Sequence, residues 1–75
     1  MVANIEREEN VNMILRAARE AVNKTQAQVA REAQITEQAY QRYEYGTREP
    51  CVSTAIRIAK ILDTTVEELF ETGEK

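Results

Sequence analysis

The stretch from Thr25 to Gly46, TQAQVAREAQITEQAYQRYEYG, constrains the chain more than any other. Thr25 and Thr36 each head a short run of helix formers, with a hydroxyl that can accept from a backbone N–H at the helix start. Gln28 lies three residues after Thr25 and completes a capping box. Gln34-Ile35 then reads as a turn, and Ile35 can staple against Tyr40 across the Thr36 cap. Gly46 stops the second of these helices. Val29, Ala30 and Ala33 face inward on the first, and small alanines let the second approach closely, as a tight corner between helices requires. On the second, helical spacing puts Ala39, Tyr40 and Tyr43 on one face and Gln38, Gln41, Arg42 and Tyr45 on another.

The flanking segments read as three more helices. Val11, Ile14, Leu15, Ala18 and Val22 recur at steps of three and four, the period of a helix with one buried stripe. Glu6, Glu8 and Glu9 suit the positive end of that helix if it starts near Asn4; a start near Asn10 fits equally. Asn23 is a left-handed terminator. After a loop through Thr47, Arg48, Glu49 and Pro50, the stripe Val52, Ala55, Ile58, Ala59 and Leu62 marks a fourth helix. Thr65-Val66-Glu67-Glu68 is a second capping box, opening a short fifth helix anchored by Leu69 and Phe70. The division expected is an N-terminal extension over 1–10 that can hold the start of the first helix, a domain over 11–70, and a frayed acidic tail over 71–75. Two glycines and one proline leave little room for hairpins, so elimination points to an all-α fold.

Cysteine and histidine content removes whole classes of chemistry. The chain has no histidine and a single cysteine, Cys51. An internal disulfide, a zinc site and a Ser/His or Cys/His pair are therefore impossible within it. No enzyme, metal or cofactor is expected. The first twenty residues hold scattered charges and no apolar run, so neither a signal peptide nor a membrane span is expected, and a cytoplasmic location is the simple reading.

A net charge of −3 argues at first against a nucleic-acid partner. Its distribution argues the other way. Glu6, Glu8 and Glu9 against Arg7 put a net −2 on residues 1–9, and residues 63–75 carry a net −4. Residues 10–62 hold eight Lys/Arg against five Glu, a net +3. A short helix with an apolar back and a face of Gln, Glu and Arg suits reading base edges in the DNA major groove.

With these elements placed, the chain resembles the phage-repressor and Cro-like helix-turn-helix family, the XRE type. Leu15 and Arg19, Thr25-Gln26 with Val29-Ala30, Thr36, Arg42-Tyr43-Glu44, Gly46, Arg48 and Pro50 carry the resemblance. Ile58-Ala59-Lys60 with Leu62, and Val66-Glu67-Glu68-Leu69, complete it in register. The resemblance implies a five-helix bundle of the lambda-repressor-like type that inserts its third helix, about 36–45, into the major groove and regulates transcription, commonly as a repressor. It implies base contacts from Glu37, Gln38, Gln41 and Arg42. Phosphate contacts would come from Gln26, Thr36, Tyr45, Thr47 and Arg48, and Arg19 with Glu44 would form an ion pair tying the first helix to the end of the third. The partner expected is double-stranded DNA carrying an inverted repeat, bound by a homodimer, because doubling a small reading head raises affinity and specificity.

Three positions depart from the family pattern. Gln34 and Asp63 stand where glycine is common, implying non-glycine residues in left-handed geometry at about 1–2 kcal/mol each. Cys51 stands where serine commonly caps the fourth helix, and reads as a small buried residue or a poor cap rather than a redox switch.

Inward spacing makes Tyr40 and Tyr43 core residues rather than stacking platforms, whereas Tyr45 suits a phosphate contact and a plain surface position equally. Glu37 near phosphates would be repelled unless it accepts from a cytosine amino group; otherwise it complements the helix dipole beside Thr36. Ile56 and Phe70 make the fourth and fifth helices the favoured dimer surface. The alternative function is an antitoxin-like or adaptor module of the same fold with weak DNA binding, which the acidic net charge favours.

Overall fold

The computed structural model describes residues 11–70, and among them lie five helices and no strand. They are α1 (Met13–Ala21), α2 (Gln26–Ala33), α3 (Glu37–Tyr45), α4 (Val52–Ile61) and α5 (Val66–Phe70). The expected extension over 1–10 and tail over 71–75, with Asn4 and Asn10, lie outside the described residues.

The first four helices are short because each is followed by a residue that leaves helical geometry. All four connections turn through one left-handed residue: Asn23 (φ 58°), Gln34 (φ 65°), Gly46 (φ 79°) and Asp63 (φ 60°). Each turn is closed by the same bond, from the N–H after the left-handed residue to a carbonyl five positions back. Lys24 donates to Arg19, Ile35 to Ala30, Thr47 to Arg42 and Thr64 to Ala59, at 2.9–3.3 Å. This is the Schellman pattern, which satisfies carbonyls a helix end leaves open. Gln34 therefore has the positive φ expected of it, and its Cβ costs what glycine's hydrogen would not. Gln34→Gly is expected to stabilise the fold by about 0.5–1 kcal/mol, once the added freedom of the unfolded glycine is subtracted. A denaturant midpoint checks it, and a fall would show that the Gln34 side chain contributes more than its strain costs.

The starts are capped as the threonines suggest. Thr25 accepts from Gln28 N–H and Gln28 Oε1 accepts from Thr25 N–H, so both halves of the box are made. Thr36 accepts from Ala39. At α5 only half the box forms: Thr65 accepts from Glu68 N–H, but the Glu68 carboxylate takes the Thr64 hydroxyl at 2.7 Å. Cys51 makes no capping bond to the α4 backbone. It is exposed rather than buried, its Sγ 3.4 Å from the hydroxyls of Ser53 and Thr54. Those hydroxyls, Ser53 first, draw its thiol down to about 6.

Leu15, Val29, Ala30, Ala33, Tyr40, Ile58, Ala59, Leu62 and Leu69 form one buried cluster drawing on every helix, and Ile35 and Tyr43 pack against it. α2 lies on α3 and α4, α4 on α5, and α1 closes the bundle against α5 and α3. Tyr43 meets the Tyr40 ring edge-on, centroids 6.4 Å apart. Two residues of the expected stripes are exposed. Ile14 is 57% exposed, because Leu15 and Ala18 set the buried line of α1 and Ile14 falls at its edge. Val52, 74% exposed, is in phase with Ala55 but sits on the first turn of α4, at the end of the packed stripe.

Asn12 is a residue whose role periodicity does not reveal. Its Oδ1 caps α1 by accepting from Leu15 N–H at 2.9 Å, and its Nδ2 donates to the Leu69 carbonyl at 2.8 Å. Its backbone N–H donates to the Glu44 carbonyl at 2.9 Å. One side chain thus joins the start of α1 to the end of α5, beside the end of α3. Asn12→Ala should cost about 1–2 kcal/mol, one cap plus one tertiary bond. Asn12→Ser, which keeps a capping oxygen, should recover part of the lost thermal midpoint.

Candidate nucleic-acid interface

The buried side of α3 anchors the exposed side. Glu44 is 2% exposed, a carboxylate inside a small apolar core, and such a group survives only if its oxygens are fully bonded. Arg19 reaches it from α1 through Nε to Oε2 at 2.6 Å and Nη2 to Oε1 at 3.3 Å. The Tyr40 hydroxyl donates to Oε2 at 2.7 Å, and Gln26 Nε2 donates to Oε1 at 2.9 Å. Arg19 Nη1 also donates to the Lys24 carbonyl at 2.9 Å, where α1 ends. Among the described residues no buried side-chain nitrogen or oxygen lacks a partner. The pair expected between Arg19 and Glu44 is therefore present and buried. It is also larger than a pair, since Tyr40 and Gln26 complete it.

Burial alone would raise the Glu44 pKa, but the bonds from Arg19, Tyr40 and Gln26 outweigh it and hold the carboxyl below its ordinary value. The Glu44 bond in turn raises Arg19, against the effect of burial. Burial, with Glu44 next, pushes the Tyr40 hydroxyl above its ordinary range. A carboxylate with a depressed folded pKa stabilises the fold above its unfolded pKa, about 4.3, and that stabilisation is lost as pH falls through the folded value. Stability should thus be level in this respect above about pH 5 and fall below about 4.3. Glu44→Gln should flatten the acid limb in a series of denaturant melts from pH 7 to 3.

The network continues outward to the other face. Gln26 Oε1, left open by the bond to Glu44, accepts from Gln41 Nε2 at 3.3 Å, and Glu37 lies 3.5 Å from the same nitrogen. Gln41 is half-buried and held; Glu37, Gln38, Arg42 and Tyr45 are exposed along the same helix. Thr36 is exposed at the head of α3, its hydroxyl proton free of the bond it accepts from Ala39. Thr47 and Arg48 are exposed just past the end of α3, with the Thr47 hydroxyl 3.4 Å from the Arg42 carbonyl. Neither Arg42 nor Arg48 belongs to an ion pair among the described residues. Glu37 also stands in the first turn of α3, where its charge complements the dipole.

Gln26 has protein partners that its sequence position does not reveal. It is half-buried and bonded at both ends of its amide, to Glu44 and to Gln41, so it orients Gln41 on the outer face of α3 as well as bordering that face. One amide N–H remains for an outside acceptor. Reasoning from sequence also missed Arg57, whose Nη1 donates to the Ala33 carbonyl at 2.9 Å and so ties α4 to the end of α2. An arginine at a helix C-terminus is favourable. Its target, though, lies on another helix, and no spacing rule reveals it.

No described helix is long and apolar enough to cross a membrane. Known proteins are similar to this chain in sequence. The transcriptional repressor RstR of the cryptic phage CTXphi in Vibrio cholerae is 41% identical over 51 residues, covering 68% of this chain and 46% of that protein. The uncharacterised HTH-type transcriptional regulator YqaE of Bacillus subtilis is 40% identical over 63 residues, covering 81% of this chain and 54% of that one. The chain thus spans about half the length of the curated relatives it matches. No solved structure matches it. The helix-turn-helix family model matches residues 15–69, from the buried leucine of α1 to the buried leucine of α5, and the chain belongs to that family, in its XRE type.

Proposed function

We propose that this chain is a sequence-specific DNA-binding transcriptional regulator, a repressor, that places α3 in the major groove. The observation that carries the reading is the two-sided character of α3. Its inner side is fastened by the Arg19–Glu44–Tyr40 network, and its outer side offers Gln38 and Arg42, whose side chains have no partner among the described residues, beside a Gln41 held in place by Gln26. Preorganised polar groups on a rigid helix are what discrimination between base edges needs. Arg42 suits guanine, Gln38 and Gln41 suit adenine, and Glu37 suits a cytosine amino group. Gln26, Thr36, Tyr45, Thr47 and Arg48 border that face and suit phosphates. The repressor named in the phage relative agrees with this reading.

The chain binds an inverted repeat as a homodimer in this proposal. Val52 and Ile56, one turn apart on α4 and both exposed, supply apolar area for a second copy. A titration against genomic fragments at two salt concentrations tests the reading. Specific binding should weaken steeply with salt as phosphate contacts release counterions. Affinity that is absent, or indifferent to salt, would leave the adaptor module of the same fold as the better account.

A further inference from the structure

Beside Gln26 the surface opens into a cleft of about 310 Å³, lined by Val11, Arg16, Arg19, Gln26, Glu44 and Tyr45. It joins three helices: Arg16 and Arg19 come from α1, Gln26 from the start of α2, Glu44 and Tyr45 from the end of α3. Two of the charged walls are engaged with each other, since Arg19 and Glu44 form the buried pair. Arg16 is different. Its partner is Glu20, one turn along α1 at 3.1 Å, with both side chains more than half exposed. An exposed pair at this spacing is held weakly and is readily exchanged for a stronger acceptor. The cleft therefore presents a displaceable guanidinium, the remaining Gln26 amide N–H and the exposed Tyr45 hydroxyl, all donors suited to phosphate oxygens.

We propose that this cleft seats a backbone phosphate of the bound DNA, and that Arg16 grips it after exchanging Glu20 for the phosphate. This inference rests on the DNA-binding reading and extends the contact surface onto α1, beyond the helix-turn-helix itself. The cleft is continuous with the reading face through Gln26, which bonds to Gln41. A phosphate held there fixes the register in which α3 meets the bases. A phosphate contact carries no sequence information, so its loss weakens cognate and random DNA alike.

The test compares wild type, Arg16→Ala and Arg16→Lys on a cognate fragment and on random duplex DNA across a salt series. Melting temperatures measured on the same samples establish that each variant is folded. Arg16→Ala should lower the slope of log affinity against log salt by about 1.8, the share of one phosphate in each protomer of the dimer. Between 50 and 200 mM salt, wild type should then lose about 12-fold more affinity than Arg16→Ala on both DNAs. Arg16→Lys should keep the wild-type slope. A wild-type slope retained in Arg16→Ala overturns this inference and leaves the DNA-binding reading standing, as does a loss confined to the cognate fragment. A wild-type chain that shows no salt-dependent binding overturns the reading and this inference with it.

Discussion

Glu44→Ala is expected to destabilise the domain by about 3–5 kcal/mol, the cost of removing one partner from a buried ion pair. The substitution strands more than a charge. Arg19 keeps its guanidinium at 12% side-chain exposure, and the wholly buried Tyr40 loses the acceptor of its hydroxyl. Gln26 loses the acceptor that orients it toward Gln41. An exposed pair would cost only about 0.2–1 kcal/mol, so a denaturant titration separates the two cases without ambiguity. A domain of this size has little stability in reserve, and the variant should be largely unfolded at 37 °C. Replacing Arg19, Glu44 and Tyr40 together by apolar residues of similar volume should be far less harmful than Glu44→Ala alone, because nothing charged is then left buried. A midpoint unchanged in Glu44→Ala would mean that water replaces the carboxylate at no cost, and the account of the network would fail.

Arg42→Ala is expected to cost about 1–3 kcal/mol on the cognate site and to relax preference at one base pair, a guanine. Binding to random DNA should change much less. The expectation follows from position: Arg42 is exposed on the outer face of α3 and belongs to no ion pair among the described residues. Stability should be unaffected, which sets this variant apart from Glu44→Ala, where folding fails first. Equal losses on cognate and random fragments would make Arg42 a phosphate contact. Competition binding with single-base variants of the site identifies the position read.

Much of this arrangement is legible along the chain because its causes are local. Thr25 with Gln28, and Thr36, announce helix starts whose bonds span three residues, and those bonds form as expected. Val29, Ala30 and Ala33 are inward by period alone. The left-handed turns at Asn23 and Gly46 follow from residue type, whereas those at Gln34 and Asp63 are legible only by resemblance. The Arg19–Glu44 pair likewise came from the resemblance and not from spacing, since 25 residues separate its partners.

What escaped the sequence is what depends on which helix lies opposite. Ile14 falls at the edge of the buried line of α1 and Val52 at the end of that of α4, and both are exposed, because burial requires a neighbour as well as a period. Asn12 and Arg57 bond to the carbonyls of Leu69 and Ala33 across 57 and 24 residues, joining helices whose apposition no local pattern encodes. In place of the second half of the α5 box, the Glu68 carboxylate accepts from the Thr64 hydroxyl, brought round by the turn at Asp63. Local chemistry and the hydrophobic period thus determined where the helices start, stop and turn. Only tertiary packing decided the partners of Glu44 beyond Arg19, and with them how Gln26 and Gln41 are held on the outer face: a carboxylate in a small core must fill every acceptor site from whichever donors the fold brings within reach.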